Sequence, residues 1–191
     1  KSQYNKEYVY YDDTMRKQML DEQALMSEMQ EALDKHQFEV YLQPKYNLLT
    51  EQPAGAEALV RWNHPQKGFL APGLFVPLFE NNGLIYKLDR YVWEETCRFI
   101  AYYKKKYGFC VPISVNISRI DVYDPNLPDI LLGLIQQYKV EPQELHLEIT
   151  ETAYTREPEQ LIEIVNKLKG YGFIIEMDDF GSGFSSLNML S

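Results

Sequence analysis

The stretch IIEMDDFGSGFSS, residues 174–186, decides the fold. A largely apolar run, typical of a buried strand, ends there in two adjacent carboxylates, Asp178 and Asp179, and a glycine-rich loop follows at once. Like charges in contact repel each other, and burial increases the cost. Either water solvates the pair or a cation binds it, and the pattern of the other strands helps to distinguish these possibilities.

Strands and helices alternate along most of the chain. Period-two patterns predict strands that begin near Phe38, Gly55, Pro112, Glu144 and Phe173. Helical periodicity predicts helices over residues 14–36, from 72, over 84–107, 128–138 and 157–170, and from 185. This repetition of βα units predicts an α/β protein with a parallel sheet under helical cover.

The composition limits the possible partners and compartments. A net charge of −9 argues against general binding of DNA or RNA polymers, although a bound divalent cation can still attract a small anionic ligand. The two cysteines, Cys97 and Cys110, lack metal-ligand spacing, which favours a reduced, cytoplasmic compartment. No apolar run approaches 18 residues, so this segment is not expected to contact a membrane.

The N-terminal residues are expected to come from the middle of a longer protein. The start KSQYNKEYVYYDD lacks the apolar region of a signal peptide. Met15, Met19, Met26 and Met29 recur at helical intervals in the helix that follows. Such a stripe can bind a partner, but a packing face or an interdomain connector is the commoner use of methionine.

Four predicted strands carry polar side chains on one face and apolar side chains on the other. A parallel sheet buried on both sides would be apolar throughout, so the polar face has to enclose something else. The alternation of side chains along each strand defines the members of the polar face. They are Glu57, Leu59 and Arg61; Ser114, Asn116 and Ser118; His146, Glu148 and Thr150; and Ile174, Glu176 and Asp178.

The spacing of the oxygen-bearing residues predicts a metal site. Asn116, Glu148 and Asp178 are separated by about one βα unit each, so we expect them at equivalent heights on neighbouring strands, at the carboxyl ends where α/β barrels have their active sites. Together with Glu57 and Asp179 they form a set of hard oxygen ligands, which favours Mg²⁺ or Mn²⁺. Adjacent aspartates can serve two metal ions. The alternative for any single member is a solvated carboxylate at a strand end.

Several blocks of the sequence resemble EAL-domain cyclic di-GMP phosphodiesterases. GAEALVRWNHP, which begins at Gly55, contains the three residues that name the family, Glu57, Ala58 and Leu59. YLQPKYNL, PISVNIS, LHLEITET and MDDFGSGFSSLNML resemble the further blocks in their usual order. The resemblance covers residues 38–191, and residues 1–37 resemble the connector that often follows a GGDEF domain.

The resemblance implies a (β/α)8-type barrel that hydrolyses cyclic di-GMP to linear pGpG with Mg²⁺ or Mn²⁺. It implies that Glu57, Asn116, Glu148 and Asp178 bind metal, that Asp179 binds the second metal, and that Gln43 and Arg61 bind substrate. Glu57, Asp178 and Asp179 are the implied catalytic residues. The loop at 181–186 is linked in the family to dimerisation and to order at the metal site, so a homodimer is expected, and the connector-like residues 1–37 imply an upstream GGDEF domain.

Two departures from the family qualify these expectations. Glu176 stands where the family often has a small residue, and it can either pair with a cation or be a tolerated variant at the end of a strand. Residues 38–191 are also far fewer than the roughly 250 of a typical barrel. We therefore expect a barrel that stops after about five strands, without the family's later blocks. A non-catalytic cyclic di-GMP receptor and a dimerising interaction module remain alternatives to the enzyme.

Overall fold

The computed structural model describes residues 13–150 and 158–178, which form one mixed sheet with helices packed against it. The strands are β1 (Phe38–Tyr46), β2 (Pro53–His64), β3 (Gly68–Leu70), β4 (Ile113–Ile117), β5 (Leu145–Thr150) and β6 (Ile175–Asp178). The helices are α1 (Asp13–Asp34), α2 (Val76–Asn81), α3 (Ile85–Tyr107), α4 (Arg119–Val122), α5 (Leu127–Tyr138) and α6 (Pro158–Gly170). The helix predicted from residue 72 is a 3₁₀ turn over Pro72–Leu74 followed by α2.

The sheet has the order β1-β2-β4-β5-β6, with the short β3 paired to β2. Strands β2, β4, β5 and β6 are parallel, as the βα repetition predicts. Strand β1 departs from that expectation, because it runs antiparallel to β2. Its direction follows from the loop at residues 47–52, since a parallel return needs a crossover of about a dozen residues.

Local chemistry stabilises this hairpin loop. The side-chain oxygen of Asn47 accepts hydrogen bonds from the backbone N–H groups of Leu49 and Thr50, at 2.9 and 3.0 Å. Hydrogen bonds from an asparagine side chain to the backbone stabilise a tight turn, here the turn that connects β1 to β2. Glu51 completes it with a φ of 56°, a left-handed conformation. Strand β1 is thus placed at the sheet edge beside β2.

The apolar face of the sheet packs against α3, α5 and α6 in the larger of two cores. Completely buried members of this core are Trp93, Cys97, Ile100, Ile113, Val115, Val122, Leu131, Leu145, Leu147, Leu161 and Leu168. Helices α3, α5 and α6 therefore cover the apolar face of the sheet, and the polar face is the opposite one.

The second core attaches α1 to the strands. Leu25, Met29 and Ala32 of α1 are buried in a cluster that contains Phe38 and Trp62, whose ring centroids lie 4.8 Å apart. In the first turns of α1, Met15 and Met19 are exposed instead. The C-terminal half of the methionine stripe is thus a packing face, and the division of the chain at residues 37 and 38 remains a prediction.

Gly55 allows β2 and β4 to approach each other closely. A Cβ atom at this position would lie 2.9 Å from the backbone oxygen of Pro112. That oxygen accepts a hydrogen bond from the N–H of Ala56, at 3.0 Å, where the parallel ladder begins. The glycine therefore has a steric role two residues before Glu57.

Some predicted features lie outside the described residues, namely Asp179, the loop at 181–186, the helix from residue 185 and the helix start at residue 157. Among residues 13–150 and 158–178, no helix is both long and apolar enough to cross a membrane.

Candidate active site

The polar face of the sheet brings together side chains from β1, β2, β4, β5 and β6. In the ladders, Ser114 lies opposite Glu57 on one side and His146 on the other. One step further along the strands, Glu148 lies opposite Asn116 and Glu176. The predicted alternation of faces is therefore confirmed by the register of these strands.

Glu57 and Asn116 are in contact. The amide nitrogen of Asn116 donates to Glu57 Oε1 at 3.3 Å, and both residues are half-buried. The indole N–H of Trp93 donates to the Asn116 backbone oxygen at 3.0 Å from the helical side of the sheet. An amide held in this way keeps its side-chain oxygen available for another partner.

Asp178 does not lie at the height that the sequence spacing predicts. Its partner on β5 is Thr150, and Glu176 occupies the position opposite Glu148. Sequence spacing failed here because the connections between strands differ in length, and the stagger of barrel strands depends on the hydrogen-bond register. Asp178 is thus two residues nearer the carboxyl end of the sheet than expected, on the same face as Glu148.

Glu148 is a buried carboxylate whose two oxygens differ. Its Oε1 accepts a hydrogen bond from the ammonium group of Lys45. Its Oε2 is buried and has no hydrogen-bond partner among residues 13–150 and 158–178. Burial raises the pKa of Glu148 to about 7, although the hydrogen bond from Lys45 acts in the opposite direction. A buried polar atom without a partner is costly, so Oε2 is a candidate ligand atom.

Glu176 is the centre of a hydrogen-bonded network on the same face. It accepts from Lys45 Nζ at 2.7 Å and from Ser114 Oγ at 2.9 Å, and it pairs with His146 Nδ1 at 2.6 Å. Although burial disfavours its charge, the hydrogen bonds from Lys45 and His146 lower the pKa of Glu176 to about 2. Of the two possibilities for Glu176, the structure supports the pairing with a cation.

Sequence patterns place Ser114 and His146 on the polar face but give them no role there, and they do not identify Lys45. Lys45 lies on the same face of β1 as Gln43, because the two are separated by one residue. The sequence signal that could have indicated a cation near this face was Glu176, which the strand pattern places on the polar face. A half-buried carboxylate needs a cation or hydrogen-bond donors as partners.

The two predicted substrate residues lie on β1 and β2 on the polar face. Gln43 is the ladder partner of Glu57 and is exposed. Arg61 is half-buried, its guanidinium lies 6.0 Å from the Tyr41 ring centroid, and its Nη1 donates to the Val60 backbone oxygen at 2.8 Å. Arg61 is four residues closer to the carboxyl end of β2 than Glu57, so both lie on the same side of the strand.

The donor set suits a hard divalent cation. Carboxylate and amide oxygens are the ligands that Mg²⁺ and Mn²⁺ prefer, and Glu148 Oε2, which has no partner among the described residues, lies on the strand next to Asn116. No three histidine, cysteine, aspartate or glutamate side chains converge at metal-binding distances within the described part of the chain. Asn116 is an amide, and Asp179 lies outside that part, so neither counts in such a group.

A cavity of about 460 Å³ lies between α2, α3 and the carboxyl ends of β2, β4 and β5, and its lining includes Ala58 and Val60 from the apolar side of β2. Asn116, Ser118 and Thr150 border it on the sheet side, and α2 and α3 border it on the other. Asp89 of α3 lines it, and burial together with the neighbouring Asp121 carboxyl raises the pKa of Asp89 well above its usual value. Among the described residues that are expected to bind metal or substrate, Asn116 alone lines this cavity, so the cavity lies beside the Glu148 network and does not contain it.

Two bacterial relatives match nearly the whole of this chain. MucR of Pseudomonas aeruginosa, named a bifunctional diguanylate cyclase/cyclic di-GMP phosphodiesterase, is 32% identical over 94% of this chain and 26% of its own length. An uncharacterised signalling protein of Caulobacter vibrioides is 35% identical over 94% of this chain and 21% of its own. The chain therefore spans about a quarter of the length of these relatives.

Solved structures share the fold. The MucR phosphodiesterase in complex with cyclic di-GMP superimposes with a TM-score of 0.82 and 34% identity, over 87% of this chain and 68% of that one. The EAL enzyme Bd1971, bound to cAMP and cyclic di-GMP, gives 0.80 and 28%, over 90% and 48%. The two neighbours confirm the truncated barrel fold, and the family model for the EAL domain matches residues 26–191. The chain belongs to the EAL domain family.

Proposed function

We propose that this protein is a metal-dependent phosphodiesterase that hydrolyses cyclic di-GMP to linear pGpG. One observation carries the proposal: Glu148 Oε2, a buried oxygen without a hydrogen-bond partner in residues 13–150 and 158–178, lies on the strand beside the Glu57–Asn116 pair. A metal ion would satisfy that oxygen, whereas the described protein atoms leave it unpaired. The names of MucR and of its cyclic di-GMP complex support the same activity and the same ligand.

In this proposal, Glu57, Asn116, Glu148 and Asp178 hold Mg²⁺ or Mn²⁺, and Asp179 joins Asp178 at a second ion. When bound, the metal supplies charge neutralisation for the phosphate and an activated water. The position of Asp178 at the end of β6, two residues beyond Glu176, agrees with a ligand at the carboxyl edge.

Arg61 and Gln43 bind the ligand in the same proposal. The planar guanidinium of Arg61 can donate two parallel hydrogen bonds to a phosphate, and Gln43 can both donate and accept. They would orient one phosphodiester group of the ring. Water then forms a bond to phosphorus, the bond from phosphorus to a ribose 3′ oxygen breaks, and that oxygen takes up a proton.

The whole protein is proposed to combine this activity with others. The name of MucR describes cyclase and phosphodiesterase activities in one protein, which supports the expectation of an upstream GGDEF domain. A homodimer formed around the loop at 181–186 remains a prediction from the family resemblance.

Replacing Glu57 with alanine tests the proposal. Purified whole protein should convert cyclic di-GMP to pGpG with Mn²⁺, and EDTA should abolish the conversion. E57A should reduce turnover by at least about 100-fold, in line with the loss of a metal ligand or its support. Folding should be nearly unaffected, because Glu57 contributes little to the apolar core.

The matched control is Glu163→Ala, which removes an exposed glutamate of α6. E163A should keep wild-type turnover. Near-normal turnover in E57A, measured by chromatography of the product, would show that Glu57 has no catalytic role.

A non-catalytic cyclic di-GMP receptor is the second candidate. The ion pair between Lys45 and Glu148 favours it, because it places a cation beside the predicted metal ligand. A receptor would bind cyclic di-GMP with the same affinity in EDTA and in Mn²⁺, and it would release no linear product. Metal-dependent turnover by the whole protein would exclude this candidate.

A further inference from the structure

The ammonium group of Lys45 is surrounded by three acceptors on the polar face. It donates to Glu148 Oε1, to Glu176 Oε2 at 2.7 Å and to Ser114 Oγ at 2.7 Å. A lysine ammonium has three N–H donors and no acceptor. Each donor of Lys45 therefore has one partner, contributed by β4, β5 and β6 in turn.

The partners of Lys45 are themselves fixed. Ser114 Oγ donates to Glu176 Oε2 at 2.9 Å, and His146 Nδ1 pairs with the other oxygen of Glu176 at 2.6 Å. Side chains from three strands, β4, β5 and β6, thus determine where the ammonium lies. This placement differs from that of a surface lysine, whose flexible stem usually leaves the charge in solvent.

The arrangement controls the orientation of Glu148. Its side chain is 8% exposed, so both of its oxygens need partners. Because Lys45 holds Oε1, the carboxylate plane is fixed and Oε2 is the oxygen left without a partner in the described part of the chain.

We propose that Lys45 is a positioning residue that presents Glu148 Oε2 to the metal, an inference that rests on the proposed function. Lys45 contacts neither substrate nor metal, and it acts through Glu148. It does not compete with the metal, because it takes Oε1 only. Its other two partners, Glu176 and Ser114, lie outside the proposed ligand set. Partners that orient a metal ligand commonly account for about 10–100-fold in metal affinity.

The test is the affinity of the whole protein for Mn²⁺, measured without nucleotide by electron paramagnetic resonance of free Mn²⁺. Lys45→Met keeps the length of the side chain and removes its charge. K45M should raise the dissociation constant for Mn²⁺ by about 10–100-fold. The matched control is Lys104→Met, since Lys104 forms an ion pair with Glu144 at 2.7 Å and has a similar exposure, 30% against 35%. K104M should bind Mn²⁺ like the wild type.

Two further variants separate positioning from general stability. Lys45→Arg keeps the charge and should recover part of the lost Mn²⁺ affinity. Glu176→Gln keeps an acceptor for Lys45 but loses the charge that anchors it, so it should weaken Mn²⁺ binding by a smaller factor than K45M. If K45M does not fold, as judged by circular dichroism, E176Q provides the test. In assays at saturating Mn²⁺, the KM of K45M for cyclic di-GMP should equal that of the wild type.

The possible failures are distinguishable. If the wild type binds no Mn²⁺, the proposed function is wrong, and this inference falls with it. If the wild type binds Mn²⁺ and K45M binds it equally or more tightly, only the role of Lys45 is wrong. Equal Mn²⁺ affinity in folded E176Q and wild type would overturn the anchoring of Lys45 by Glu176.

Discussion

Glu148 has two oxygens in different surroundings, and this difference underlies the account of the site. Lys45 binds one oxygen, and the other is buried without a partner in residues 13–150 and 158–178. Apolar residues of β5 on either side, Leu147 and Ile149, face the helical core. A buried carboxylate is costly unless a ligand or an oppositely charged partner compensates its charge.

Asp89 provides a prediction that does not depend on metal. Its carboxyl lies beside Asp121, and burial together with that neighbour raises the pKa of Asp89 well above 3.8, with Glu80 adding to the effect and Ser118 opposing it. Above pH ~3.8 the unfolded chain loses this proton while the folded protein keeps it, so the free energy of unfolding falls as pH rises. Asp89→Asn removes this loss.

The measurement is urea unfolding of wild type and D89N between about pH 4 and pH 8. Their difference in the free energy of unfolding should grow with pH in favour of D89N. Exposed Asp129 of α5 provides the control for the replacement of an aspartate by asparagine, through the variant D129N. Parallel curves for wild type and D89N would contradict the assignment of a neutral Asp89.

At the scale of residues, sequence alone could identify Glu57, Asn116 and Glu148 as one polar set. Side chains alternate strictly along a strand, so a local pattern is sufficient to assign them to a face. Lys45 could not be assigned in the same way. Its contacts with Glu148 and Glu176 span 103 and 131 residues of sequence, and they depend on how β1 pairs.

At the scale of elements, sequence patterns determined neither the direction of β1 nor the register of β6. A short loop decides the first, and the hydrogen-bond register decides the second. The long helices α1, α3, α5 and α6 could be predicted nearly to the residue because their periodicity extends over several turns. The short elements β3 and α4 were missed, since three or four residues carry no usable period.

Gly55 tests the junction between β2 and β4. Gly55→Ala would place Cβ 2.9 Å from the Pro112 backbone oxygen, which cannot move without disturbing the start of the parallel ladder. The free energy of unfolding should fall by about 1–3 kcal/mol, as for overpacked sites. Mn²⁺ affinity should also fall, because Glu57 follows two residues later.

The matched control is Gly133→Ala in α5, where an added Cβ meets no atom within 4 Å. This substitution should raise stability by about 0.5–1 kcal/mol, since alanine is the better helix former. Thermal unfolding of both variants provides the comparison. A G55A protein as stable as the wild type would mean that the strands can separate freely at this point.

At the scale of the whole molecule, the two hydrophobic cores have different structural roles. The larger core supports the strands that carry the polar face, and the smaller one attaches α1 through Leu25, Met29 and Ala32. A polar contact supplements this attachment, because Glu28 of α1 pairs at 2.5 Å with the buried His64 at the end of β2. Helix α1 is thus in contact with the strand that carries Glu57 and Arg61.

The family could be predicted from sequence because its motifs fall on the strand ends that form the site. The polar network behind Glu148 could not, because it combines residues from β1, β4, β5 and β6 that no single motif contains. Both outcomes have the same cause. A motif contains residues that are close in the sequence, whereas strand pairing brings the residues of the site together from distant parts of the chain.

A crystal of the whole protein soaked in Mn²⁺ tests the central claim most directly, through an anomalous difference map recorded near the manganese absorption edge. The account predicts a peak within coordination distance of Glu148 Oε2, with Glu57, Asn116 and Asp178 as further ligands and Lys45 still bonded to Glu148 Oε1. A map with no peak on this face of the sheet, or with a peak that leaves Glu148 Oε2 without a ligand, would contradict it.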